Sequence, residues 1–108
     1  MTRQVRRRYL ALKIEGEESL QQKEVADALW NAVLRLFGEV GLSQAGFYLV
    51  NFDSEKNRAV LRCSHRALSL VRAAVASVTK IGDVPAAVHV LRVSGTLKAL
   101  SRKTHSSQ

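Results

Sequence analysis

The chain has a single cysteine, Cys63, among 108 residues, so no internal disulfide can form. The second ligand pair of a structural zinc site is missing as well. One proline and six glycines leave no linker and no low-complexity segment, and no stretch repeats. No apolar run approaches the length of a membrane span. The N-terminal "MTRQVRRRYLALKIE" carries positive charge, but Lys13 and Glu15 interrupt any signal-peptide pattern. These absences point to one soluble, cytoplasmic domain over residues 1–103, with residues 104–108 as a fraying tail.

Acidic residues are also scarce, 9 against 17 Lys and Arg, for a net charge of +8. They are unevenly placed. Residues 1–14 hold five basic and no acidic side chains, residues 15–57 three and eight, and residues 58–108 nine and one. Basic ends around an acidic middle predict a dipolar surface with a polyanion on its positive side, nucleic acid first.

"RRRYLALKI" alternates, with Leu10, Leu12 and Ile14 on one face and Arg7, Tyr9, Ala11 and Lys13 on the other, which predicts a half-buried strand. Ser19 and Gln22 form a candidate capping box before a helix from about Leu20 to Phe37, closed by Gly38 and Gly41. "GFYLVNFD" and "RAVLRCS" read as a hairpin across "DSEKN". Ser64 caps a second helix with an apolar stripe of Leu68, Val71, Val75 and Val78, running to Lys80. "AAVHVLRVSG" is a fourth strand, and "TLKALSRK" a short basic helical segment. The order βαββαβ predicts an α+β, ferredoxin-like or RRM-like sandwich: a four-stranded antiparallel sheet with both helices on one face.

"AGFYLVNF", residues 45–52, looks like the octapeptide of an RNA-recognition motif, but it falls on the second strand instead of the third. Period two puts Tyr48, Val50 and Phe52 on one face, the better core face, and Phe47, Leu49, Asn51 and Asp53 on the other, with the reverse left open. Base stacking is then a minor mode. The face away from the helices would carry Arg7, Tyr9, Lys13, Arg58, Arg62 and Arg92, suited to phosphate contact, or simply to solvent. Phe47, Leu49 and Val60 on that face form a candidate protein interface.

Catalytic groups are hard to assemble. Cys63 in a strand is a packing residue, and His89 within the fourth strand is structural. His65, opening the second helix beside Arg66, is placed to join an anion site with the helix N-terminus. The remaining basic candidates for RNA are Arg6, Arg7 and Arg8 at the start, and Lys98, Arg102 and Lys103 near the end. No phosphate-binding glycine loop and no Ser-His-Asp set is present.

Four stretches together, "RRRYLALKI", "LFGEVGLSQAGFYLVNFD", "AVLRCSHRALSLVRAAV" and "VLRVSGTLKAL", are similar to the ribonuclease P protein component 2 (Pop-five) family over nearly the whole length. The resemblance implies a non-catalytic subunit of a ribonucleoprotein that removes the 5′ leader from precursor tRNA. It implies ribonuclease P RNA, precursor tRNA and protein component 3 (Rpp-thirty) as partners, with two copies of each protein in a heterotetramer. It also implies that Mg2+ is bound by the RNA, with no cofactor on this chain, and the shortness of the chain fits the archaeal form. The competing reading is a ferredoxin-like interaction or regulatory domain for a protein or a small anion, which salt dependence would separate from RNA binding.

Overall fold

A computed structural model of the chain describes residues 6–16 and 20–100. The elements are β1 (Arg7–Gly16), α1 (Gln22–Ala45), β2 (Tyr48–Asp53), β3 (Arg58–Ser64), a 3₁₀ turn (His65–Ala67), α2 (Leu68–Ala76), β4 (Lys80–Ile81) and β5 (Val84–Ser94). A further helical turn occupies 97–100, where Thr96 Oγ1 accepts from the Ala99 N–H at 3.1 Å. The architecture is α+β, with one antiparallel sheet in the order β2-β3-β1-β5-β4.

β1 lies at the centre. It pairs with β3 from Arg7↔Ser64 to Lys13↔Arg58, and with β5 from Tyr9↔Ser94 to Gly16↔Ala86. Its alternation is seen as expected: Leu10, Leu12 and Ile14 are buried, and Ala59, Leu61 and Cys63 of β3 join them. Val25, Leu29 and Val33 of α1 and Val71 and Val75 of α2 complete the same cluster, so both helices cover one face of the sheet. Each of the Leu, Ile and Val side chains among them contributes about 1.5–3 kcal/mol through burial.

The sheet has five strands, not four. α2 stops at Ala76, short of Lys80, and Lys80–Ile81 instead folds back on Val84 and Pro85 as a two-residue edge strand. α1 runs past its expected end to Ala45, and only Gly38 leaves helical geometry, at φ 74° and ψ 176°. That conformation is open essentially to glycine alone, so Gly38 kinks the helix without ending it. Gly41 then sits so close to Phe37 that a Cβ there would lie 2.8 Å from the Phe37 Cβ. At the start of α1 the Gln21 N–H donates to Glu24 Oε1 at 3.3 Å; the expected cap Ser19 lies outside the described residues, as does the tail 104–108.

β2 corrects the expected inward face. A β-bulge at Val50 leaves two residues of β2 opposite one of β3, so that Leu49 pairs with Leu61 and Asn51 with Val60. Phe47 is buried, Leu49 and Phe52 pack against the core, and Tyr48 is 54% exposed. The extra residue reverses the parity, which lets Phe47, Leu49 and Phe52 share one face although simple alternation forbids it.

Candidate nucleic-acid interface

The helix-free face of the sheet is built from the residues that alternate with the core set. Cross-strand register orders them into rows. The first row is Tyr48–Arg62–Tyr9–Ser94, the second Asn51–Val60–Ala11–Arg92 and the third Asp53–Arg58–Lys13–His89. Arg7, opposite Ser64, extends the face beyond the first row, and Glu15, opposite Ala87, beyond the third.

Within the first row the Arg62 guanidinium lies 4.9 Å from the centre of the Tyr48 ring, a cation–π contact that holds both planes at the surface. Both carboxylates of the face are engaged at its far end. Glu15 Oε2 is 3.4 Å from His89 Nε2, and Asp53 Oδ1 accepts from the Glu55 and Lys56 N–H groups at 3.0 and 3.3 Å. Among the described residues no carboxylate forms an ion pair with Arg7, Lys13, Arg58, Arg62 or Arg92. The five cations therefore present a positive field with local partners only at one end.

The three successive arginines do not form one patch. Arg7 points with the open face, whereas Arg8 alternates to the other side, opposite Cys63. Arg8 Nη1 donates to the Arg7 carbonyl at 3.0 Å. Burial pushes the Cys63 thiol up to about 11, with the charge of Arg8 pulling the other way. Arg6 leaves the sheet, and its carbonyl accepts from the His65 N–H at 2.7 Å. Arg6, His65 and Arg66 line, together with Phe37 and Leu70, an open cleft of about 740 Å³. Ser64 Oγ accepts from the Ala67 N–H at 3.3 Å there, so the residue expected to cap the second helix caps the 3₁₀ turn ahead of it, and α2 itself follows Ala67 without a side-chain cap.

Lys98 stands exposed on the 97–100 turn, while Arg102 and Lys103 lie outside the described residues. Of the three candidates for a protein interface, only Val60 is on the open face. Phe47 is in the core, its ring 5.9 Å from Trp30 in an edge-on contact, and Leu49 packs behind it, because the bulge turns this part of β2 inward. The apolar side chains that are exposed in number lie on the helix side: Trp30, Leu36 and Val40 of α1 and Leu70 of α2. Tyr48, assigned to the core from alternation, was the functional candidate that period two could not find.

Among the described residues no group of three or more His, Cys, Asp or Glu side chains gathers, and no helix is long and apolar enough to cross a membrane.

The profile of the Rpp14/Pop5 family matches residues 8–105. Ribonuclease P protein component 2 of Pyrococcus furiosus is 36% identical over 91% of this chain and 82% of its own length. The protein of the same name from Archaeoglobus fulgidus is 37% identical over 91% and 87%. Among solved structures, a chain of yeast ribonuclease MRP superposes with a TM-score of 0.70 over 99% of this chain and 97% of that one, at 15% identity, a likeness of fold.

Proposed function

The chain belongs to the Rpp14/Pop5 family, and on that premise we propose that it is a protein subunit of ribonuclease P that binds and supports the catalytic RNA in removing the 5′ leader of precursor tRNA. The observation that carries RNA binding is the set of five cations spread over the rows of a helix-free, ferredoxin-like sheet face, none of them paired with a carboxylate among the described residues. Such cations offset phosphate repulsion and displace condensed counterions. In this reading the catalytic Mg2+ belongs to the RNA, and the chain works in the cytoplasm.

Component 3 is the proposed protein partner, two copies of each chain forming a heterotetramer. With Phe47 and Leu49 in the core, the helix side with Leu36, Val40 and Leu70 is the better surface for it, since exposed apolar groups there are the ones that gain from being covered.

Reconstitution tests this. The chain added with component 3 to the ribonuclease P RNA should lower the Mg2+ needed for cleavage of precursor tRNA and raise the rate. The chain alone should cleave nothing. Metal-dependent cleavage by the purified protein free of RNA, or an RNA reaction indifferent to its presence, refutes the reading.

A further inference from the structure

We propose that the first row of the open sheet face is a stacking site for unpaired RNA bases, with Tyr48, Arg62 and Tyr9 under the bases and Arg7 and Arg92 on the flanking phosphates. The inference rests on the reading of the chain as an RNA-binding subunit and adds which form of RNA it takes and through which side chains.

Three observations carry it. First, Tyr48 and Tyr9 share a row with one residue between them, and that residue is an arginine. Strands stand about 4.7–4.9 Å apart, so Tyr48 and Tyr9 spring from the strands on either side of Arg62, and the guanidinium itself lies over the Tyr48 ring. Second, Tyr48 is 54% exposed although Phe52, which simple alternation would put on the same face, packs against the core, so the ring is turned out by the Val50 bulge, and Arg62 lies against it at 4.9 Å. A guanidinium lying on a tyrosine presents a second flat plane, and bases stack on both kinds of surface. Third, the half of the face around this row has no carboxylate: Glu15 and Asp53 stand at the opposite end and are occupied by His89 and by the β2–β3 turn. An anionic ligand therefore meets no repulsion at the aromatic row.

A duplex keeps its bases stacked inside and offers only phosphates and groove edges to a flat sheet. The tyrosines gain from RNA only where its bases are splayed out. The arginines alone would not separate the two forms, since phosphate contacts are shared by both.

The experiment measures binding of the full chain to fluorescein-labelled oligouridylate and oligoadenylate, and to a blunt RNA duplex of the same length. Wild type should favour the single strands. Tyr48→Ala should weaken single-strand binding by about 5- to 150-fold, as the loss of one base stack does, and leave duplex binding nearly unchanged. Tyr9→Ala should act in the same direction, Tyr48→Phe should keep the affinity, and a Tyr48→Trp variant should lose fluorescence on adding oligouridylate. Urea denaturation of each variant confirms that it is folded.

Wild-type affinity in Tyr48→Ala and Tyr9→Ala, with Arg62→Ala weakening single strand and duplex alike, overturns stacking while leaving RNA binding through phosphates intact. RNA affinity unchanged in all variants with component 3 binding lost gives the face to a protein and also overturns it. Failure of the wild type to bind any of the RNAs overturns the RNA-binding reading itself, and the stacking site with it.

Discussion

Phe47 and Tyr48 are neighbours in sequence with opposite fates, and truncating each to alanine tests the fold at its least regular strand. Phe47 is 9% exposed, belongs to the core cluster and meets Trp30 edge-on at 5.9 Å. Phe47→Ala should cost about 3–5 kcal/mol, the range for deleting a buried aromatic side chain. Tyr48 is mostly in solvent, and its one ring contact is with Arg62. At an exposed site such a contact is worth about 0.5–1 kcal/mol, so Tyr48→Ala should cost no more than about that.

Urea denaturation followed by circular dichroism reads the difference. With a slope of about 2 kcal/mol per molar urea, the midpoint should fall by about 1.5–2.5 M for Phe47→Ala and by no more than about 0.5 M for Tyr48→Ala. Trp30 is the sole tryptophan, so its native emission should also change in the Phe47 variant and not in the Tyr48 one. A Tyr48→Ala cost equal to or larger than that of Phe47→Ala would mean that β2 alternates without a bulge, and the outward tyrosine would be lost as a site.

Arg62→Ala and Arg92→Ala should each reduce the dependence of RNA affinity on salt by roughly 0.7–0.9 of a logarithmic unit per phosphate contact removed; unchanged slopes in both would move the RNA site to the ends of the chain. The Cys63 thiol titrates in the folded chain near 11 against an ordinary 9.0, so its contribution is fully present below pH 9 and lost as pH rises through 11, because the unfolded chain gives up this proton first. The loss should run at about 1.4 kcal/mol per pH unit within that window, and stability measured from pH 8 to 11 should show a shallower fall in Cys63→Ala than in wild type. Gly38→Ala should destabilise by about 1–3 kcal/mol, since φ 74° with ψ 176° is a glycine conformation; a thermal melt as high as wild type would place the break in α1 elsewhere.

What could be read from the sequence was whatever a regular period encodes. Leu10, Leu12 and Ile14 alternate without interruption, and β3 was bounded correctly at Arg58 and Ser64 by turn residues before it and a cap after it. Gly38 was misread because a glycine that breaks a helix and a glycine that ends one look alike in sequence; the structure shows helical geometry resuming after Gly38 and running to Ala45. β4 is two residues long, too short for any alternation to register. The charges of the open face were legible, since Arg58 and Arg62 follow the period of a regular strand. Tyr9 was legible for the same reason, but Tyr48 was not, because its placement depends on an inserted residue.

The two bulges in the sheet bear directly on that platform. In β2 the inward set would run Tyr48, Val50, Phe52 if alternation held back from Phe52; the extra residue at Val50 sends Tyr48 outward and Phe47 in. In β5 the inward set Val88 and Val90, opposite Ile14 and Leu12, would by the same rule carry Arg92 into the core; the shift at Leu91 pairs Arg92 with Ala11 on the open face and Val93 with Leu10 on the buried one. Removing either irregularity would bury a polar or cationic group without a partner, at a cost far above that of a bulge. Each bulge therefore satisfies the core and, by the same turn of the backbone, delivers one side chain to the helix-free face: an aromatic ring from one edge of the β3–β1 pair and a guanidinium from the other. Arg62 and Tyr9, on the two regular strands between them, complete a surface that combines flat rings with free positive charge, which is the chemistry an unpaired RNA strand requires.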